Sequence, residues 1–200
     1  MFTACPWFLS VSGSMNSNRY GQPVPIMADR VGQWVIGTEN LNAGRPGAVI
    51  EMKGEQYRRS VWIEVRRSRP LAVLDTFDRP AMEPNCTQRV VTTVAAQSLM
   101  MMNSDFVVSQ STRFAKRLEL EVGPDQVDRI RRAWQLVYAS EPTAEQTASA
   151  SDFVDEQIAL FLETPDAGDP EGGQAARAAT DAWSVFCQAL LSSNRFLYLD

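Results

Sequence analysis

The side chains in this sequence best suited to binding chemistry are charged residues gathered in and just after one short stretch. Seven of them are candidates for one site: Arg58, Arg59, Arg66, Arg67, Asp75, Asp78 and Arg89. A guanidinium group is planar and always charged, and it holds carboxylate, sulfate or phosphate through paired hydrogen bonds. The same charges can instead pair with one another and tie neighbouring segments together. We favour the internal network over an anion site.

The two aspartates also suggest an acid and base pair of the glycosidase kind. Such chemistry needs two carboxyl groups about 5–9.5 Å apart across a substrate, one of them with a raised pKa. The spacing of Asp75 and Asp78 meets the distance on a helix, but it indicates no cleft. The sequence therefore assigns no catalytic residue.

Composition excludes several classes of site. The 200 residues contain no histidine, which excludes Ser-His-Asp and Cys-His nucleophiles, His-ligated zinc and attachment of c-type haem. The three cysteines lie about 80 and 100 residues apart, and we interpret them as small apolar side chains. We predict neither a metal nor another cofactor.

Charge and hydropathy restrict the partners. The net charge of −5 argues against nucleic acid, although residues 57–69 contain five arginines. No run approaches the roughly 20 apolar residues of a spanning helix, so no membrane span is predicted. With 44% apolar and 22% charged residues, the composition is that of a globular domain whose ligand stays unknown.

The arginine block itself reads as a strand over residues 57–67, because polar and apolar residues alternate there with a period of two. The alternation predicts an apolar, core-facing side: Arg59, Val61, Ile63, Val65 and Arg67. The opposite side has Arg58, Trp62, Glu64 and Arg66. We expect Arg59 and Arg89 to be buried in ion pairs, whereas Arg58 and Arg66 beside Trp62 fit either a structural role or an exposed anion or carbohydrate surface.

The surrounding pattern predicts a mainly α fold, with a helical bundle in residues 70–200, and a small β element and long loops in the first third. Residues 1–56 form a loop-rich opening segment with short strands at 33–36 and 48–52, and the clearest strand lies in residues 57–69. Helices are predicted at 105–121, at 125–140, after a capping box at Thr143 and Gln146, and at 174–193. The 200 residues are expected to form one domain-sized piece.

Several motifs in order carry a family resemblance. They are YRRSVWIEVRR at 57–67, TFDRP at 76–80, CTQR at 86–89, MNSDFV at 102–107, and AW with ALLSSNRFL at 182–197, preceded by VSGS and YGQPVP. Together they resemble the C-terminal domain of planctomycete-type surface proteins, domain of unknown function 1553 or PSD1.

The resemblance implies an exported or cell-surface protein with no established activity. Family members often carry a cytochrome c-like module and another uncharacterised domain upstream, but this sequence has no haem motif. We therefore expect a C-terminal piece of a longer protein, whose upstream domains are its partners. The expected function is a non-catalytic structural or interaction domain of a larger exported, surface-associated bacterial protein. The alternative is part of an enzyme acting on a surface polysaccharide or another anionic polymer.

Overall fold

The structure is a computed structural model that describes residues 4–29, 32–42, 45–46, 50–66, 68, 71, 99, 101–163 and 173–197. The chain divides into two compact units. Within the described ranges, the first unit comprises residues 4–10 and 14–71, and the second comprises residues 11–13 and 99–197. The fold is mainly α with a small amount of β structure, as the sequence predicts.

The second unit is a helical bundle. After helix α1 (Ala4–Val11) near the start of the chain, the helices are α2 (Asp105–Val122), α3 (Gln126–Tyr138), α4 (Ala144–Glu163), α5 (Gln174–Leu191) and the short α6 (Asn194–Leu197). Helix α5 packs mainly against α2 and α4, and α3 contacts α2, α4 and α5. Among the described residues, no helix is long and apolar enough to cross a membrane.

Local signals determine where these helices begin and end. Gly123, with φ of 80°, ends α2, and the Asp125 side chain caps α3 by accepting from the backbone N–H of Asp128. The predicted capping box opens α4 and is complete: the backbone N–H of Thr143 donates to Gln146 Oε1, and that of Gln146 donates to Thr143 Oγ1. The helix ends in this unit thus lie where their capping residues occur in the sequence.

The core of the bundle lies along one face of α5. Phe186 is its centre, because its ring stacks on Trp134 at 6.2 Å, meets Trp183 edge-on at 5.4 Å and lies 6.4 Å from Phe153. The buried side chains of this helix are Ala178, Ala182, Trp183, Phe186, Cys187, Leu190 and Leu191.

The first unit contains two small antiparallel pairs. Strand β1 (Ile26–Ala28) pairs with β2 (Trp34–Ile36), with Ile26 opposite Ile36, and β3 (Leu41–Asn42) pairs with β4 (Arg45–Pro46). The small core of this unit is an apolar cluster: Val24, Ile26, Ile63 and Leu71, with Trp34, Ile36, Met52 and Trp62 against it.

The strand predicted over residues 57–67 is wrong for the residues that are described. Two 3-10 turns occupy Glu55–Tyr57 and Ser60–Trp62, and only isolated parallel bridges join Asn16 to Arg58 and Val24 to Ile63. A 3-10 turn advances three residues per turn, so alternate residues no longer share a face. Ile63 is therefore buried, whereas Val61 is 72% exposed and Arg59 is also exposed.

Candidate functional site: the arginine block and the loop around Arg58

Arg58 is the most deeply buried charged residue described, with 2% of its surface exposed. Its guanidinium group donates from Nε to the carbonyl oxygen of Asn18 at 3.3 Å, from Nη1 to that of Gln22 at 2.9 Å and from Nη2 to that of Tyr20 at 3.3 Å. A guanidinium group has five N–H donors and no acceptor. The chain's own oxygens therefore use most of the hydrogen-bonding capacity of Arg58.

One carboxylate and one aromatic ring complete the surroundings of Arg58. Nη1 also donates to Glu55 Oε2 at 3.0 Å, which is an ion pair three residues apart along the chain. The guanidinium carbon lies 5.0 Å from the ring centroid of Trp62, a favourable cation–π distance. The positive charge is thus compensated by a carboxylate, three carbonyl dipoles and a π face, as a buried charge requires.

The loop of residues 18–22 folds around this guanidinium group. Its alternate carbonyl oxygens, at 18, 20 and 22, point to Arg58, and Gly21 between them has φ of +117°. Only glycine adopts that φ without strain. Asn16 starts the loop, since its Oδ1 accepts from the backbone N–H of Asn18 at 3.0 Å. The Gly/Pro-rich motif of the sequence is thus a loop with a defined conformation.

Arg66 pairs with Glu64 of its own chain at the surface of the protein. Its Nε donates to Glu64 Oε1 at 2.9 Å and its Nη2 donates to Oε2 at 3.4 Å, and the guanidinium carbon lies 5.7 Å from the ring centroid of Trp34. The hydrogen bond with Glu64 raises the pKa of Arg66 above its ordinary value. Both side chains are about one-third exposed, so solvent screens the pair.

The remaining candidates divide into one exposed residue and four that are not described. Arg59 is exposed, which corrects the expectation that it faces the core in a buried pair. Arg67, Asp75, Asp78 and Arg89 lie outside the described residues. Of the seven candidates the structure thus describes three, and it gives Arg58 and Arg66 separate carboxylates, Glu55 and Glu64.

Sequence reasoning missed Glu55 and the two asparagines around it. Glu55 Oε1 lies 3.4 Å from the amide nitrogens of both Asn16 and Asn18, while Oε2 receives Arg58. These contacts join positions nearly 40 residues apart, and no local period signals them. The only signal was compositional, since asparagine and glycine in the opening loop indicate turns with side-chain to backbone bonds.

A second polar network lies in the helical unit. Glu121, near the end of α2, accepts from Arg117 Nε at 2.6 Å and from Arg132 Nε at 2.7 Å. Partial burial alone would raise the pKa of Glu121, but the hydrogen bonds from the two arginines outweigh it and lower that pKa. Arg117 also donates from Nη1 to the carbonyl oxygen of Val11 at 2.8 Å. This network joins α2 to α3 and to the end of α1.

Cys187 and Gln110 are two fully buried groups of the helical unit. Burial raises the pKa of the Cys187 thiol, so it stays protonated and unreactive. Gln110 is 0% exposed, and its Oε1 accepts from Ser12 Oγ at 2.7 Å. Within the described ranges, no group of three or more acidic or cysteine side chains is placed to hold a metal ion.

Comparison with known proteins adds one match. The family model described as a protein of unknown function (DUF1553), PSD1, matches residues 7–154, about three quarters of the chain, including the arginine block and the 18–22 loop. The resemblance noted at residues 182–197 lies outside the matched range. No curated protein and no solved structure matches the chain. The chain belongs to the PSD1 (DUF1553) family, whose function is unknown.

Proposed function

We propose that this chain is a non-catalytic structural and interaction domain of a larger exported, surface-associated bacterial protein, whose other domains are its partners. The observation that supports this proposal is the environment of Arg58. Arg58, one of the arginines considered as anion ligands, is buried and donates to four oxygens of its own chain. An anion-binding arginine needs free donors that face solvent or a cleft, whereas Arg58 uses its donors to fix a loop.

The energetics favour the same role. Removing one partner of a buried ion pair costs about 3–5 kcal/mol because the other charge is left uncompensated. Glu55 is 42% exposed, so water can solvate it and the cost at this pair falls toward the lower end of that range. The three carbonyl oxygens would also lose their donor. Arg58→Ala is therefore expected to destabilise the protein by about 3 kcal/mol.

The test is a thermal and urea unfolding scan of Arg58→Ala, Arg66→Ala and Arg59→Ala, each with and without 20 mM sulfate, on the order of ten times a weak anion Kd. Arg59 is the matched control, because it is adjacent to Arg58 and exposed. We expect a large loss for Arg58→Ala, a loss below about 1 kcal/mol for Arg66→Ala, and no change for Arg59→Ala.

Sulfate decides between the structural role and an anion site. If Arg58 and Arg66 form an anion site, they repel one another in the empty protein, so Arg58→Ala would be neutral or stabilising. Sulfate would then raise the melting temperature of the unmodified protein by mass action. That pair of results would contradict the proposal, whereas loss of stability without a sulfate effect supports it.

A further inference from the structure

Tyr20 is the most exposed large hydrophobic residue that the structure describes, with 87% of its surface accessible to solvent. Its backbone is fixed at the same time, since its own carbonyl oxygen accepts from Arg58 Nη2. Tyr20 therefore combines an anchored main chain with an exposed ring. Such an arrangement lets the ring contact a ligand at little cost in conformational entropy.

The neighbouring side chains supply hydrogen-bonding groups. Arg19 and Gln22 are exposed, and neither side chain makes a hydrogen bond, an ion pair or a ring contact among the residues that the structure describes. The guanidinium group of Arg19 is therefore available, in contrast to that of Arg58. Arg19 and Gln22 thus flank Tyr20 in the sequence, on a loop whose backbone is held at residues 18, 20 and 22.

We propose that the 18–22 loop is a binding surface for an acidic polysaccharide, in which a pyranose ring stacks on Tyr20 and a carboxylate of the polymer pairs with Arg19. This inference rests on the proposed function, since it names the ligand class of the interaction domain. The face of an aromatic ring carries negative potential and is apolar, so it fits the C–H face of a sugar ring. Arginine binds carboxylates bidentately, and the amide of Gln22 can bind hydroxyl groups.

The surroundings of Tyr20 favour a glycan over a folded protein. A stable protein interface has a dry centre of several apolar side chains and buries at least about 1,000 Å² in total. The exposed residues 17–19 and 21–23 beside Tyr20 include no second large apolar side chain, and Val24 after them is buried. One aromatic ring among polar groups matches the size and polarity of one or two sugar residues.

The experiment measures binding of the full chain to alginate, a polymer of uronic acids, and to dextran, a neutral polysaccharide, by affinity gel electrophoresis and calorimetry. We expect the unmodified protein to bind alginate and to bind dextran more weakly. Tyr20→Ala should weaken alginate binding at least tenfold, whereas Tyr20→Phe should retain it. Arg19→Gln should abolish the preference for alginate over dextran. The matched control is Trp7→Ala, at a half-exposed aromatic residue of α1, and it should change neither the affinity for alginate nor that preference.

Two results would overturn this inference. They are no binding of alginate by the folded unmodified protein, and alginate binding that Tyr20→Ala leaves unchanged, whether or not it depends on Arg19. The variants are expected to keep the parental melting temperature, because both side chains are exposed.

A reducing-end measurement on the same mixtures of protein and alginate separates failure of this inference from failure of the proposed function. Release of reducing ends from alginate would show catalysis and contradict the non-catalytic proposal. The binding data would still test whether the 18–22 loop binds alginate. If the unmodified protein does not bind alginate, the proposed binding surface on the loop is wrong, but the stability results for Arg58 still test the proposed function.

Discussion

The two units of this protein are organised by different interactions. In the helical unit the central residue is Phe186, and stability comes from aromatic and aliphatic side chains at helical spacing along α2 to α5. In the first unit the largest fully buried side chain is Arg58, and the apolar cluster around Val24 and Ile63 is small. A unit with little apolar area to bury uses a buried arginine to order its loops, whereas a bundle orders itself by burying its helix faces.

The two units also differ in the groups that they offer to a ligand. A bundle face that is fully packed offers few groups to a ligand. A loop whose carbonyl oxygens point inward to Arg58 directs its side chains outward, as Tyr20 shows. Binding residues are frequently found on loops that a rigid scaffold positions. This contrast is why we propose the binding surface in the loop-rich unit.

The largest effect is expected from Phe186→Ala, which removes the centre of the aromatic cluster. Truncating a buried phenylalanine costs about 3–5 kcal/mol through lost burial and the cavity that remains. Urea unfolding followed by helical circular dichroism measures this cost. Ala189→Ser, at an exposed position of the same helix, is the control and should stay within about 0.5 kcal/mol. A cost below about 1 kcal/mol for Phe186→Ala would show that the bundle does not depend on this cluster.

A smaller effect is expected from Gly21→Ala in the loop around Arg58. An added Cβ would lie 4.0 Å from Arg58 Nη1, so it fits sterically, but φ of +117° is strained for alanine. The cost should be about 1–3 kcal/mol, with faster amide hydrogen exchange in residues 18–22. Gly173→Ala, where no atom lies within 4 Å and φ is −108°, is the control. Equal stability of the two variants would mean that the loop conformation is not fixed.

The next-largest loss of stability is expected from removing the capping box of α4. Thr143→Ala removes the acceptor for the Gln146 N–H and should destabilise the helical unit by about 1 kcal/mol. Thr180→Ala is a matched control, because Thr180 lies inside α5 and its hydroxyl bonds only to the carbonyl oxygen of Ala176 in the preceding turn. That change should be neutral or slightly stabilising. If both threonine variants lose the same stability, the cap contributes nothing specific.

The smallest effect concerns pH. The pKa of Glu121 is lower in the folded protein than in the unfolded chain, so its ionised form contributes stability above the unfolded value of about 4.3, and this contribution is lost as the pH falls through the folded value. The side chain is 30% exposed, so the contribution is about 0.5–1 kcal/mol. Glu121→Gln should therefore be less stable than the parent at pH 7 and indistinguishable from it at pH 3. A constant difference across this range would contradict the ion-pair explanation.

The sequence by itself determined the helical unit and the family. Helices α2 to α5, the capping box at Thr143 and the buried face of α5 follow from interactions three or four residues apart, which a one-dimensional pattern records. The motif order likewise identified the PSD1 family. The prediction of a strand at 57–67 was wrong because the same alternation of residues was compatible with two 3-10 turns, and the backbone partners that decide between them are distant in sequence.

Only the tertiary structure decided which arginine is buried. Arg58 and Arg59 are neighbours of identical type, and no local rule distinguishes them, yet one is 2% exposed and the other lies at the surface. The choice is made by the carbonyl oxygens of residues 18, 20 and 22 and by the Glu55 carboxylate, which surround Arg58. A charge is buried where compensating dipoles converge, and that convergence exists only after the chain has folded.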